Sequence, residues 1–183
     1  MSILSGITRP GRSECSNPRH TPVGIYNRAR LQVVGPNEHG QIVTKQTGEW
    51  AYNVMATYGL SKLVSFMGAG TVTVTDWIGG LRIGTDNTGA VSTDTRLLAS
   101  TGSIDLTDAG DVTEAGARTL RCLGTFASDN PAGAAQIREI GIYASSNVTT
   151  GLVNRIDLTG AQSVNKGASD AINVSVDVVF TTA

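Results

Sequence analysis

The chain has few of the side chains that carry acid–base and metal chemistry: two histidines and two cysteines in 183 residues, and only 16% charged residues. Histidine is the group that titrates near neutral pH and the usual proton carrier. His20 and His39 both sit in turn-rich sequence without a serine, cysteine or carboxylate motif beside them, so both read as solvated loop residues. Cys15 and Cys122 lie far apart with no second ligand at metal spacing, which argues against zinc and a disulfide framework and leaves two free thiols. The longest apolar runs fall short of the roughly 18 residues a membrane helix needs, and no continuous apolar signal core opens the chain. A soluble protein made in a cytoplasm, without cofactor or membrane contact, is expected. The net charge of −1 gives the whole chain no attraction to nucleic acid.

The charge that is present is uneven. Arg9, Arg12, Arg19, Arg28 and Arg30 stand against Glu14 alone in the first thirty residues, and the remainder is acidic. Pro10, Pro18 and Pro22 punctuate the same stretch, which suits an extended segment, either unordered or ordered by a partner. Residues 1–28 therefore read as an extended basic arm and residues 29–183 as one β-rich domain. The five arginines are the candidate partner-binding residues, and an acidic protein surface is their expected neighbour.

Within the domain, residues 30–34 and 41–45 flank the turn sequence GPNEHG and predict a hairpin. Leu60, Leu63, Val64 and Met67 recur at helical spacing, with Thr57 as a possible N-cap and Gly68 as a stop, and predict one short helix with a packing stripe. Residues 71–75 and 77–84 read as strands, with a bulge expected at Gly79 and Gly80. Residues 85–95 read as a turn-rich connection, and residues 102–116 as a second long loop or a pair of short ones. Residues 118–126, 136–144, 152–158 and 171–181 alternate apolar and polar side chains and predict an antiparallel set. The fold class expected is mainly β: an antiparallel β-sandwich, jelly-roll-like, with one short helix and the arm.

Two chemical motifs compete with plain structure. Gly79, Gly80 and Gly84 suggest a phosphate loop only if a helix follows, and none is indicated, so a sheet bulge explains them better. Asp105, Asp108, Asp111 and Glu114 form an acidic ladder that would suit calcium but lacks the spacing of a helix–loop–helix calcium loop; a solvated loop is the simpler reading. No catalytic residue emerges and an enzyme is not expected. A polysaccharide-degrading enzyme would have only the acidic ladder as its foothold.

The closing third carries a more specific signal. Ile137, Glu139, Gly141, Ile142 and Tyr143 are followed by Leu152, Val153 and Arg155, and then by Asn165, Lys166, Ser169, Asp170, Ile172, Val174 and Val176. This pattern resembles a recurrent C-terminal β module of structural proteins in tailed bacteriophages, and the likeness covers about residues 50–181. The resemblance implies a virion part: a capsid decoration (cement) protein that binds the major capsid protein, or a tail or head fibre component that meets the host surface. It also implies a homo-oligomer, with a trimer expected. Lys166 and Asp170 are expected to fix a turn, and Glu139 and Arg155 to pair across adjacent strands.

Overall fold

The computed structural model describes residues 23–53, 55–57, 59–61, 64, 78–106, 112–116, 118–144 and 151–182. The strands among them are β1 (Val23–Pro36), β2 (Ile42–Thr47), β3 (Ala51–Asn53), β4 (Gly80–Gly84), β5 (Ser100–Asp105) and β6 (Val112–Gly116). They continue with β7 (Thr119–Phe126), β8 (Ala135–Ile137), β9 (Glu139–Tyr143), β10 (Leu152–Asp157), β11 (Val164–Lys166) and β12 (Ala171–Thr182).

The longest strands show how alternation builds the sheet. In β1, Ala29, Leu31 and Val33 are buried while Arg28, Arg30 and Gln32 turn the other way. In β12, Ile172, Val174, Val176 and Val178 are buried. The two pair antiparallel from Val23↔Thr182 to Val34↔Ala171, so both apolar rows share one face. The first sheet runs β2-β1-β12-β7-β6, with β3 also paired to β1; the second runs β10-β9-β4-β5. Leu31, Val33, Phe126, Val174 and Val176 of the first sheet share one core with Leu81, Ile83, Ile140, Ile142 and Ile156 of the second. The architecture is thus an antiparallel β-sandwich. A two-stranded piece, β8 with β11, completes it.

Asn27 interrupts the inward row of β1. It and Asn154 of β10 are fully buried, and neither side-chain amide has a hydrogen-bond partner among the described residues.

The expected hairpin is β1–β2, with Asn37 accepting the His39 and Gln41 N–H groups through its side chain. Several expectations change. The strand β1 begins inside the stretch expected as arm, so residues 23–28 belong to the sheet. Residues 102–116 are not one loop: β5 and β6 occupy both ends, because Ser100–Asp105 finds β4 and Val112–Gly116 finds β7 as hydrogen-bonding neighbours. Residues 136–144 are two strands rather than one. The break is at Arg138, whose N–H donates to Gly84 O while its carbonyl accepts from Leu158 N–H. The closing antiparallel set is also split, with β7 and β12 in one sheet and β9 and β10 in the other.

The helix is present at residues 57, 59–61 and 64, and Leu60 N–H donates to Ala56 O at 3.1 Å. Its expected packing stripe is not buried at the described positions: Leu60 is 46% and Val64 64% exposed. Thr57 donates its hydroxyl to Ser92 O at 3.0 Å. Leu63 and Met67, and the strand expected at 71–75, lie outside the described residues. Near Gly79 the ladder of β4 with β5 is regular; its register shift falls between Ile83 and Gly84.

Candidate interaction surface

The outward face of the first sheet carries a cluster of partly exposed cationic and aromatic side chains. One cross-strand row runs Tyr52, Arg28, Asp177, Arg121 over β3, β1, β12 and β7. Asp177 is fully buried by its neighbours. Arg28 donates from Nε and Nη2 to Asp177 Oδ2 at 3.0 and 2.8 Å, and Arg121 donates from Nε to Oδ1 at 2.7 Å and from Nη2 to Oδ2 at 2.9 Å. Burial pushes the Asp177 carboxyl up, but the hydrogen bonds from Arg121 and Arg28 outweigh it and hold the group below the usual carboxylate range. The carboxylate therefore stays charged and clamps β1 and β7 to β12.

The next row, Arg30, Ser175, Leu123, has a small residue at its centre. The result is a shallow groove of about 220 Å³ between Arg30, Gln32, Arg121, Leu123, Asn173 and Ser175. Trp50 lies along one side, its ring centroid 4.5 Å from the Arg28 guanidinium carbon and 4.9 Å from that of Arg30. Tyr52 is 61% and Leu123 45% exposed. Tryptophan, tyrosine and arginine are the residues that dominate protein contact energies.

On the second sheet the outward face is covered. Glu139, Gly141 and Tyr143 of β9 point opposite to Ile140 and Ile142, and residues 85–99 lie across them. Glu139 accepts the Leu98 and Ala99 N–H groups at 3.3 and 2.8 Å, and the Tyr143 hydroxyl accepts the Leu97 N–H at 2.8 Å. Arg155, 1% exposed, donates to Glu139 Oε2 at 2.9 Å, Asp94 Oδ2 at 3.0 Å and Thr88 O at 2.8 Å, and reaches Asp86 Oδ1 at 3.4 Å. A Cβ on Gly141 would come within 2.7 Å of the Tyr143 ring and 3.0 Å of Leu97, and one on Gly84 would strike the Glu139 carboxylate. The paired Glu139 and Arg155 expected from the sequence are thus the buried peg that fastens this segment.

Lys166 and Asp170 do more than a local turn. Lys166 Nζ donates to the carbonyls of Ser128, Gly133 and Gly167, while Asp170 accepts from Gly167 N–H and, at 2.7 Å, from Lys45 Nζ on β2.

Of the five arginines expected to bind a partner, Arg28 and Arg30 stand on β1, with Arg28 consumed by Asp177; Arg9, Arg12 and Arg19 lie outside the described residues. The acidic ladder is divided: Asp105 ends β5 and Glu114 lies in β6, on different sheets, while Asp108 and Asp111 are outside the described residues. Among the described residues, no group of three or more His, Cys, Asp or Glu could hold a metal ion. His39 is exposed in the β1–β2 turn. Cys122 is buried and free, its thiol pushed up to about 12 by burial and then by the nearby Asp177 charge. Among the described residues, no helix is long and apolar enough to cross a membrane.

Trp50, Tyr52, Arg121 and Asp177 were not singled out by sequence reasoning. The available signal was Asp177, a lone acid at a polar position of the valine-rich β12. Comparison of the chain with protein-family models, curated proteins and solved structures gives no match.

Proposed function

We propose that this protein is a structural subunit of a virus particle, a capsid decoration (cement) protein of the tailed-bacteriophage kind, which binds neighbouring major capsid subunits and stabilises the shell. The observation that carries the reading is the outward face of the first sheet, where Arg30, Trp50, Tyr52 and Leu123 are presented on a rigid antiparallel platform. Support comes also from the ionisable clusters, which are satisfied internally. Asp177 with Arg28 and Arg121, and Arg155 with Glu139, Asp94 and Asp86, are spent in fastening strands and loops. Such a molecule binds and does not catalyse.

In this reading the protein is made in the host cytoplasm and acts on the capsid surface as a homo-oligomer, a trimer. Arg9, Arg12 and Arg19 of the basic leader grip acidic patches of adjacent capsid subunits. The resemblance of the β9, β10 and β12 residues to phage structural modules favours the same class. The test is co-sedimentation of the purified protein with empty shells. Deleting residues 2–22 should abolish binding while leaving the sandwich folded; shells still decorated by the truncated protein would sink the role of the leader. The deletion must stop before Val23, because residues 23–28 pair with β12.

A further inference from the structure

We propose that the polar pocket around Arg138 binds an acidic monosaccharide, a sugar ring that bears one carboxylate. The pocket encloses about 380 Å³ and shares no lining residue with the groove on the first sheet. Three stretches of chain meet in it: Asn87 from residues 85–99, Gln136 and Arg138 from the β8–β9 junction, and Thr159 and Ser163 from the turn after β10. Arg138 is held firmly there. Its N–H donates to Gly84 O at 2.9 Å and its carbonyl accepts from Leu158 N–H at 2.7 Å, so its backbone is tied to the end of β4 and the end of β10. Its side chain donates from Nε and Nη2 to Gln136 Oε1 at 3.0 and 2.6 Å. Gln136 Nε2 reaches Ser163 Oγ at 3.4 Å, and that buried hydroxyl donates to Gly160 O at 2.9 Å. A neutral amide, not a carboxylate, thus orients the guanidinium. Among the described residues Arg138 makes no ion pair and its Nη1 group makes no hydrogen bond, whereas Arg28, Arg121 and Arg155 all hold carboxylates. Asp86 and Asp157, next in sequence to Asn87 and Leu158, do not line the pocket; Asp86 accepts instead from Thr88 N–H at 2.7 Å and from Arg155.

The remaining lining decides what should accompany the negative charge. A carboxylate matches the planar fork of a guanidinium. Asn87, Thr159 and Ser163 add amide and hydroxyl groups that both donate and accept hydrogen bonds, as the hydroxyls of a sugar ring do. Among the described lining residues Arg138 is the single cation, so a doubly charged phosphate would meet one positive group where it is better served by several. Leu158 is the single apolar side chain among them, and it is 1% exposed, which leaves little for an apolar ligand to cover. The side chain of an acidic peptide would bring the same carboxylate but no hydroxyls to meet Asn87 and Thr159. The volume lies at the small end of the range for small-molecule sites, which suits one sugar ring.

Titration of the purified full chain, followed by NMR chemical shifts, tests this with glucuronate, galacturonate and N-acetylneuraminate as probes. At least one should bind saturably and shift the signals of Asn87, Gln136, Arg138 and Ser163. It should bind about tenfold or more tightly than glucose or acetate, the gain expected when a charge-assisted hydrogen bond and hydroxyl contacts act together. Arg138→Met should lose the preference over glucose. Asn87→Ala, at an exposed position outside the strands, should weaken binding of the acidic sugar by about threefold and leave acetate unchanged; it decides the matter if Arg138→Met fails the circular dichroism check for folding. The proposal is overturned if none of the three sugars saturates or if the shifts fall away from the pocket. It is overturned equally if acetate or inorganic phosphate binds as tightly, which would make this a plain anion site, or if glucose does, which would leave the charge without a role. A short glutamate peptide that binds more tightly than the sugars would assign the pocket to a protein partner, and a folded variant of either kind that binds the sugar like wild type would remove the residue from the site. Arg138→Met should still co-sediment with shells, and deleting residues 2–22 should leave sugar binding intact, so this proposal and the capsid reading can each fail alone.

Discussion

Arg155→Met should be among the most damaging single changes in the second sheet. The arginine is 1% exposed and its guanidinium is shared by Glu139, Asp94, Asp86 and the Thr88 carbonyl. Methionine fills much of the same volume, so packing loss is small. What remains is Glu139, fully buried and still held by Leu98 and Ala99 N–H groups, with its arginine partner gone. Breaking a buried pair by removing one partner costs about 3–5 kcal/mol. For a chain of this size each kcal/mol lowers the melting temperature by about 2–4 °C, so the expected drop is about 6–20 °C. Thermal unfolding by circular dichroism measures it, and limited proteolysis should show residues 85–99 cut before the rest. Adding Glu139→Gln to Arg155→Met removes the orphaned charge and should recover at least about 1 kcal/mol relative to additivity. A single variant that melts within about 2 °C of wild type, or a strictly additive double, would refute the peg as described.

Other outcomes follow from the same contacts. Asp177→Asn leaves Arg28 and Arg121 sharing a neutral amide and should cost about 1–3 kcal/mol, less than a fully buried pair because both guanidinium groups are partly solvated. The Asp177 carboxyl titrates below its ordinary value of about 3.9, so its stabilisation is complete above that pH and is lost as pH falls through the lower folded value. Acid unfolding monitored by fluorescence should therefore be less steep in Asp177→Asn, and an unchanged acid limb would contradict the clamp. Cys122, buried and with its thiol raised to about 12, should react with an aromatic disulfide reagent only on unfolding in a Cys15→Ser background; fast labelling of the folded protein would show that β7 opens. Gly84→Ala drives a methyl into the Glu139 carboxylate and the Ala99 carbonyl and should cost about 1–3 kcal/mol by chemical denaturation, whereas a neutral result would mean that residues 85–99 yield easily.

What the sequence reveals here depends on how local the determinant is. The strand alternation in β1, β7 and β12 is a property of neighbouring residues, and it is legible because each of these strands has one face on the core. The sheet to which a strand belongs is not local. Ser100–Asp105 and Val112–Gly116 look like polar loop sequence, and become strands because β4 and β7 offer ladder partners distant in sequence. The helix stripe misleads for the opposite reason: its periodicity is genuine, but periodicity does not supply a surface to cover Leu60 and Val64. Glu139 with Arg155 was readable because the two lie on adjacent antiparallel strands. Their further partners Asp86 and Asp94 were not, since they arrive on an irregular segment whose path no pattern encodes. The groove was equally hidden, because Arg30, Ser175 and Leu123 line up only once β1, β12 and β7 are in register.

The central claim, that this chain decorates a capsid, is tested most directly by its stoichiometry in purified particles, measured by quantitative mass spectrometry against the major capsid protein. A lattice-bound subunit should be present on the order of hundreds of copies, in fixed ratio to the capsid protein. A few to some tens of copies per particle would contradict the decoration role and point to a fibre, and absence from particles would contradict the virion assignment altogether.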